Sequence, residues 1–351
     1  MNFNYRHYVP VLKIKQGEKA ALQNIQPALQ PHITPLLEVV ERVPAKNIQS
    51  HLETTFKQLA ESTRPYTRCF IDTREIAPDG PEAATAVFQR AQTENIVFTP
   101  ITGISRTADV VPALSYRTNG LGIRLTRDEF EQGNLTVALQ DFMRRHNLSH
   151  AEVDLIVDLG PINDFVVDGV IALTNSFLAS VPDHPLWKTL TVSACGFPSS
   201  MGIVDRNSHE LVDRVDWLAW RNNLFSRRSE IPRLPTFSDC AIQHSKGVEG
   251  FDPITMKASA AIRHTSADSW LLIKGVSIRS VLPTIQFRGL ASQLVTGELR
   301  EHFRGPTHCG GCSSVQAAAS GAPRLGSLGA WRRLGTIHHI TTVVEDLSAL
   351  P

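Results

Sequence analysis

Short apolar runs rich in β-branched residues alternate with longer amphipathic runs along the first 220 residues of the chain. In the longer runs the apolar residues recur at steps of three and four, as from Ile48 to Leu52, which is typical of a helix buried on one face. The short runs are apolar almost throughout, which is typical of parallel strands covered on both sides. They lie at 7–14, 32–40, 68–75, 95–103, 120–126, 152–160 and 188–197. The pattern predicts seven strand–helix units in series, with single helices over 45–62 and 206–220 among them.

Two architectures accommodate seven such units. An open doubly wound sheet carries a glycine-rich phosphate turn after an early strand, and the sequence contains no such turn. A closed (β/α)8 barrel needs an eighth strand, for which 235–244 is the candidate. We therefore predict an α/β fold in which residues 1–245 form a (β/α)8 TIM-like barrel.

The last third of the chain has a different pattern. Residues 258–275 predict two strands joined by the turn TSADS, which would form a β-hairpin appended to the barrel. Helices are predicted over 281–303 and 337–350, and we expect the second to pack against the outside of the barrel. Residues 246–351 are thus predicted to form a β-hairpin and a C-terminal helical extension packed on the barrel.

The composition is typical of a soluble globular protein, with 42% apolar and 20% charged residues among 351. No apolar stretch approaches the roughly 18 residues of a membrane span, and the amino terminus lacks the apolar segment of a secretory signal. We therefore expect a cytoplasmic protein with no membrane partner. The formal net charge of +1 does not favour nucleic acid as a partner, and we expect the arginine-rich segment 221–233 to be a solvated loop.

Charged side chains occur where the predicted barrel strands end. They are Lys13, Lys15, Glu38, Asp72, Arg74, Arg124, Asp158 and Asp239. The carboxyl ends of all eight strands meet at one mouth of such a barrel, and the active sites of barrel enzymes lie there. We therefore expect these side chains to converge. Alternation along a strand also places Lys13 with Lys15, and Asp72 with Arg74, on a common face.

Such a ring of charges has two interpretations. In the first, it binds an anionic, phosphate-bearing small molecule or a nucleotide, and its carboxylates could also hold a divalent cation. The catalytic candidates are then Lys13, Glu38, Asp72 and Asp158, and the ligand-binding candidates are Lys15, Arg74, Arg124 and Asp239. In the second, the opposite charges pair with one another and form an ion-pair layer that closes the barrel mouth without any ligand.

A Cys-x-x-Cys pair, Cys309 and Cys312, precedes two adjacent histidines, His338 and His339, in the C-terminal region. A structural zinc site needs four ligands, so this pair needs two more. Adjacent histidines point to opposite faces of a strand and diverge by about 100° on a helix, so that at most one of them can join the cysteines. That leaves His308 as a cramped fourth ligand. We therefore expect no structural zinc at Cys309 and Cys312 and assign no residue as a metal ligand. The cofactor stays unknown, and a divalent cation at the strand-end carboxylates stays open.

Several stretches follow one another in the order found in the phage-type beta protein family. They are YVPVLKIKQGEKAAL, ITPLLEV, FSDCAIQH, ASAAIRHT, WLLIKG and WRRLGTIHHIT. The chain resembles this family over essentially its whole length. The residues that match the recurrent pattern are Lys13, Lys15, Gly17, Glu38, Asp239, Arg263, Gly275, Trp331, Arg332, Gly335, His338 and His339. The Cys309–Cys312 pair is not part of that pattern.

The resemblance implies a protein of phages or of bacterial mobile and antiviral-defence loci. It adds Arg263, Arg332, His338 and His339 to the ligand-binding candidates. Two functions stay open: an enzyme that binds an anionic small molecule or nucleotide at the barrel mouth, and a non-catalytic sensor that recognises nucleic acid or a partner protein from the same locus. Convergence of the catalytic candidates in one pocket favours the enzyme, whereas pairing among them favours the sensor.

Overall fold

Eight parallel strands close into a barrel in a computed structural model that describes residues 3–246, 258–322 and 326–351. The strands of the chain are β1 (Tyr8–Lys13), β2 (Leu36–Glu38), β3 (Cys69–Asp72), β4 (Phe98–Thr102), β5 (Leu121–Thr126), β6 (Val153–Pro161), β7 (Thr189–Cys195), β8 (Ser208–Asp213), β9 (Thr236–Asp239), β10 (Ser259–Thr265) and β11 (Ser269–Ser277). Strands β1 to β7 and β9 form the ring, in which β9 pairs with β7 and with β1. The predicted (β/α)8 barrel is confirmed, and its eighth strand lies within 235–244.

Helices follow the strands along the chain. They are α1 (Gln16–Gln23), α2 (Ile48–Phe56), α3 (Leu59–Thr63), α4 (Pro81–Thr93), α5 (Val110–Ser115), α6 (Arg127–Glu131), α7 (Leu135–Arg145), α8 (Val167–Ala179), α9 (Val215–Ala219), α10 (Pro283–Val295), α11 (Gly310–Ala319) and α12 (Leu328–Ala349). The single helix predicted over 45–62 is instead two helices, because Gln58 between α2 and α3 has a left-handed backbone conformation, with φ of 65°.

Side-chain alternation along the strands separates two apolar layers. The layer inside the barrel includes Val9, Val11, Leu36, Phe70, Ile101 and Ile156. The layer between strands and helices includes Leu12, Leu37, Ile71, Leu155 and Val157. Gly122 of β5 makes room for Ile101, since a Cβ at this position would lie 2.0 Å from the Ile101 Cδ1 atom. The barrel is therefore filled by side chains, and a ligand can approach it only at its ends.

The helix predicted over 206–220 is wrong in its first half, which forms β8, and α9 begins only at Val215. The hairpin of β10 and β11 forms as predicted, and β8 pairs antiparallel with the second edge of β11. Side chains of β8 alternate as a strand requires, with Val212 packed on the cluster around Trp270 and Leu211 exposed. The three strands form one sheet in the order β10-β11-β8, which satisfies an edge that a hairpin alone would leave open.

The last helix, α12, begins at Leu328 rather than at 337, where the Ser327 side chain accepts a hydrogen bond from the backbone of Ala330. It contacts α1 and β1 of the barrel as well as α11 and β10. Residues 334–344 of this helix are buried on every side, which is typical of a helix inside a core. The division of the chain at residue 245 stays a prediction. Among the described residues, no helix combines the length and apolar character that a bilayer crossing requires.

Candidate binding site at the barrel mouth

One arginine, Arg124 of β5, lies at the centre of the barrel mouth and bonds three carboxylates from three other strands. Its Nη1 atom donates to Glu38 Oε1 at 2.7 Å and to Asp72 Oδ2 at 2.8 Å, and its Nε atom donates to Asp158 Oδ2 at 2.9 Å. These side chains meet because they end their strands facing inward, in registers that place Glu38 beside Asp72 and beside Lys13. The predicted convergence of charged strand ends is therefore present in the structure.

A second arginine, Arg106, follows β4 and extends the network. Its Nη1 atom donates to Asp72 Oδ1 at 2.6 Å and lies 3.3 Å from Asp109 Oδ2. Asp109 also accepts a hydrogen bond from the Thr102 hydroxyl at 2.6 Å. Burial by itself would raise the pKa of the Asp72 carboxyl, but Arg106 and Arg124 outweigh burial and hold this pKa below its usual value.

Positive and negative charges balance within this layer. The cations are Lys13, Arg74, Arg106 and Arg124, and the anions are Glu38, Asp72, Asp109 and Asp158. The carboxylates point at guanidinium groups rather than at a common empty centre. A divalent cation at Glu38, Asp72 and Asp158 would have to take the place of the Arg124 guanidinium, so the arrangement is that of an ion-pair layer.

The outer cations of the mouth make weaker contacts than Arg124. The Nζ atom of Lys13 lies 3.4 Å from Glu38 Oε2, and the Nη1 atom of Arg74 lies 3.9 Å from Asp158 Oδ2. The Arg74 side chain is 47% exposed, whereas that of Arg124 is 2% exposed. A small recess next to Lys13 is lined by Val11, Leu12, Lys13, Glu38, Cys240, Gln243, His244 and Ser245. Solvent therefore reaches the mouth on the β1 side.

Beyond the end of β1, three cations of the described chain interact electrostatically with one carboxylate. We call Lys15, Arg263 and Arg332 the basic rim group, and the carboxylate belongs to Glu18 in the first turn of α1. Glu18 is buried and accepts a hydrogen bond from the Gln243 side chain, and burial raises its pKa. Burial, followed by the charge of Arg332, lowers the pKa of Arg263 to about 10. Lys15 and Arg332 are exposed.

The predicted ligand-binding residues Asp239 and His339 do not face the mouth. Asp239 ends β9 with its carboxylate outside the barrel, where it accepts hydrogen bonds from the Tyr8 hydroxyl and from the backbone of Ala241 at 2.9 Å. The Nε2 atom of His339 lies 3.0 Å from Asp239 Oδ2, and its Nδ1 atom lies 2.8 Å from the Thr265 hydroxyl. Asp239, Tyr8 and His339 are fully buried. This cluster joins α12 to the barrel and leaves no access for a ligand.

The second histidine of the pair, His338, points toward the Cys-x-x-Cys pair rather than toward the barrel. Its Nδ1 atom lies 3.2 Å from Cys312 Sγ, and its Nε2 atom lies 2.8 Å from the Thr265 carbonyl oxygen. Burial holds the pKa of His338 well below its usual value, so the ring is neutral. The structure therefore places neither histidine at the mouth.

An ion-pair layer at the opposite end of the barrel does not follow from the strand-end argument. Two nitrogens of Arg68 donate to the two carboxylate oxygens of Asp154, each at 2.6 Å, and Lys188 Nζ lies 3.0 Å from the same carboxylate. The sequence could have indicated this second layer, because Asp154 and Asp158 are four positions apart in β6 and therefore share its inward face. Opposite the mouth of such a barrel, a bonded charge contributes to stability rather than to chemistry.

A parallel barrel with a charged mouth and an apolar interior defines this chain as a (β/α)8-barrel protein. The profile of the Beta protein family matches residues 8–345, and the chain belongs to that family. The family resemblance stated from the sequence motifs is therefore confirmed. A comparison with curated proteins gives no match.

Among solved structures, the chain is similar to the mandelate racemase/muconate lactonizing protein from Herpetosiphon aurantiacus. The two share 10% sequence identity with a TM-score of 0.32, and the alignment covers 76% of this chain and 63% of that one. The chain thus spans less than two thirds of the length of that protein.

Proposed function

We propose that the protein binds an anionic, phosphate-bearing small molecule or nucleotide at the β1 side of the barrel mouth. The observation that carries this proposal is an excess of positive charge among the described residues, in which the three cations of the basic rim group share the carboxylate of Glu18. Lys13 lies two positions before Lys15 and adds an ammonium group whose contact with Glu38 is 3.4 Å long. These cations lie where barrel proteins bind their ligands.

An anion would offset repulsion between the cations of the basic rim group. Burial is the first cause of the lowered pKa of Arg263 and the positive charge of Arg332 is the next, so the two guanidinium groups repel each other. A phosphate group accepts parallel hydrogen bonds from a guanidinium and would offset this charge.

The geometry favours binding over catalysis at the mouth. Glu38, Asp72 and Asp158 could serve as acids or bases, but each is bonded to Arg124. A carboxylate that donates or accepts a proton during a reaction needs access to the reacting group, and Arg124 occupies that direction. We therefore propose a role in binding, in which the ligand lies against the ion-pair layer and that layer takes no part in a reaction.

A thermal-shift experiment on the full chain tests the proposal. The probes are inorganic phosphate, nucleoside mono-, di- and triphosphates and sugar phosphates, since a ligand at 100 times its dissociation constant stabilises the native state by about 2.7 kcal/mol. The variants are Lys15→Gln and Arg332→Gln, whose side chains are exposed, so both should fold. Each should weaken binding by roughly 10- to 100-fold, the equivalent of one charge-assisted hydrogen bond.

Arg144→Gln is the matched control, because Arg144 is an exposed arginine of α7 whose side chain pairs with Asp141 on the same helix. It should respond to the ligand as the unmodified protein does. If no phosphate compound raises the melting temperature, or if all three variants respond equally, the basic rim group is not the binding site and the proposal fails.

Recognition of nucleic acid or of a partner protein is the alternative. The arginines of 221–233 give it little support, because Arg221 pairs with Asp268 at 2.6 Å and Arg233 donates to backbone carbonyl oxygens. A role in a phage or antiviral-defence locus is what the family resemblance implies, and it stays a prediction. Short RNA and DNA in the same thermal-shift screen, and phage plating on cells that carry or lack the gene, test these two possibilities.

A further inference from the structure

Four side chains with metal-binding atoms meet between α11, α12 and the segment that precedes α11. They are His308, Cys309, Cys312 and His338, and one ligand atom from each lies within 4.8 Å of the other three. Both cysteines and His338 are buried. We propose that these four residues bind one zinc ion in a structural Cys2His2 site.

The distances suit tetrahedral zinc. Bonds of about 2.3 Å to sulfur and about 2.0–2.1 Å to nitrogen place neighbouring ligand atoms roughly 3.3–3.8 Å apart. The Nδ1 atom of His338 lies 3.2 Å from Cys312 Sγ and 3.9 Å from Cys309 Sγ. These two separations lie close to that range, so only small side-chain adjustments would complete the coordination of an ion.

The hydrogen bonds around the histidines leave one nitrogen of each ring for a metal. The Nε2 atom of His338 donates to the Thr265 carbonyl oxygen at 2.8 Å, and a carbonyl can only accept, so the proton is on Nε2 and the lone pair of Nδ1 faces the sulfurs. The Nδ1 atom of His308 lies 3.1 Å from Glu345 Oε2, which leaves its Nε2 atom for the ion in place of the Thr342 hydroxyl at 3.2 Å. Such outer partners are typical of zinc-binding histidines.

The backbone of the Cys-x-x-Cys turn also suits a thiolate ligand. The N–H group of Cys312 donates to Cys309 Sγ at 3.3 Å, which stabilises negative charge on that sulfur. Gly311 allows the turn to lie against α12, since a Cβ there would be 2.4 Å from the Leu334 carbonyl oxygen. This close approach of the turn to α12 is what brings His338 next to the cysteines.

Charge also favours an ion at this place. Zinc binding takes one proton from each thiol, and the two resulting thiolates neutralise the charge of the ion, so no net charge is buried. Four protein ligands leave no open position, which is typical of structural rather than catalytic zinc. The ion would join the segment before α11 to α12, and α12 is the helix that carries the buried His339 bonded to the barrel.

The expectation of no zinc from the sequence rests on a shortage of ligands, because the divergence of His338 and His339 leaves only one of them for the cysteines and His308 is a cramped fourth ligand. The structure agrees with the divergence and brings His308 to the cluster. His339 turns to Asp239 of the barrel, and His338 alone turns to the cysteines. The fourth ligand atom comes from His308, which lies next to Cys309 in the sequence and is brought close to α12 through its contact with Thr342.

Metal analysis of the full chain, purified without a histidine tag and dialysed against metal-free buffer, tests the proposal. Elemental mass spectrometry should find one zinc per chain, and replacing zinc by cobalt(II) should give the visible bands and the thiolate charge-transfer band of tetrahedral cobalt. Cys312→Ser and His338→Ala should each reduce the metal content at least tenfold. Cys69→Ala, which removes a buried thiol of β3 outside the cluster, should retain it.

The cobalt spectrum of the unmodified chain keeps the test decisive if the ligand variants fail to fold. Absence of both zinc and the cobalt–thiolate band would overturn the proposal. So would a disulfide between Cys309 and Cys312, detected as the loss of two hydrogen masses in the peptide that contains both, because a disulfide leaves no thiolate for the ion.

Discussion

Replacement of Arg124 by methionine tests the ion-pair layer at the barrel mouth. Methionine keeps much of the length and apolar volume of the side chain but removes the guanidinium that bonds Glu38, Asp72 and Asp158. The side chain of Arg124 is 2% exposed and that of Asp72 is fully buried, so water cannot replace the bond between these two residues. Three carboxylates would then face one another across the barrel interior.

The substitution should lower the free energy of unfolding by a large amount, because it leaves buried carboxylates without their partner. Removing one member of a buried ion pair lowers the free energy of unfolding by roughly 3–5 kcal/mol. Asp72 keeps its hydrogen bond to Arg106, and Glu38 keeps its contact with Lys13. The decrease in the free energy of unfolding should therefore stay within that range. An unfolding entropy of about 2.1 cal/mol/K per residue over 351 residues converts this to a fall in melting temperature of about 4–7 °C.

The pH dependence of this loss has a definite sign. Arg106 and Arg124 depress the pKa of Asp72 in the folded state, so their contribution is fully present above the unfolded pKa of about 3.9 and is lost as the pH falls through the folded value. The difference between the protein and Arg124→Met should therefore be greatest near neutral pH and should narrow below about pH 4.

Urea unfolding, followed by circular dichroism between pH 3 and pH 7, measures this difference. Arg127→Met is the control, since Arg127 follows the same strand but forms an exposed pair with Glu131, worth about 0–1 kcal/mol. A loss below about 1 kcal/mol for Arg124→Met, or a loss that does not change with pH, would refute the account of the mouth as a bonded charge layer.

Two further substitutions test the junction with α12 and the barrel interior. Asp239→Asn should lower the free energy of unfolding by roughly 1.5–3 kcal/mol, because Asp239 accepts charge-assisted hydrogen bonds from buried partners that include His339. The control is Asp183→Asn, at an exposed contact with a histidine, which should change the free energy of unfolding by less than about 1 kcal/mol. Gly122→Ala should cost roughly 1–3 kcal/mol because its Cβ would lie 2.0 Å from a buried methyl group. Gly289→Ala, in open space on α10, should instead stabilise by up to about 1 kcal/mol. Urea unfolding measures each pair, and equal effects within a pair would contradict the interpretation.

The barrel could be predicted because its strands are short, apolar and regularly spaced, and because an eighth candidate strand was present. Strand β8 could not be predicted, because the apolar positions of residues 206–220 suit a helix as well as a strand. Only the pairing with β11 decides between these two structures. The start of α12 was missed for a related reason. Its first six residues, 328–333, include a glycine and two arginines and are mostly exposed or half-buried, so no apolar periodicity marks them as helical.

The convergence of Glu38, Asp72 and Asp158 also follows from the sequence, because parallel strands end at one mouth and side chains alternate along them. What the sequence does not determine is the cation at their centre, since the long side chain of Arg124 crosses the barrel. Arg106 was missed because it lies in the loop after β4, whose path depends on tertiary contacts.

For the two C-terminal histidines, too, the local geometry could be predicted from the sequence and the tertiary contacts could not. Their divergence on a helix is fixed by local geometry and was predictable. Their partners were not, because Asp239 and Cys312 reach them only through the packing of α12 against the barrel and against α11.

Anomalous diffraction from crystals soaked in tungstate, a tetrahedral anion with the charge pattern of phosphate, tests the central claim most directly. We predict an anomalous peak within hydrogen-bonding distance of at least two members of the basic rim group, Lys15, Arg263 and Arg332, and loss of that peak in Arg332→Gln. Tungstate peaks elsewhere on the protein with none at the basic rim group, or a peak that persists unchanged in Arg332→Gln, would contradict an anion site at the barrel mouth.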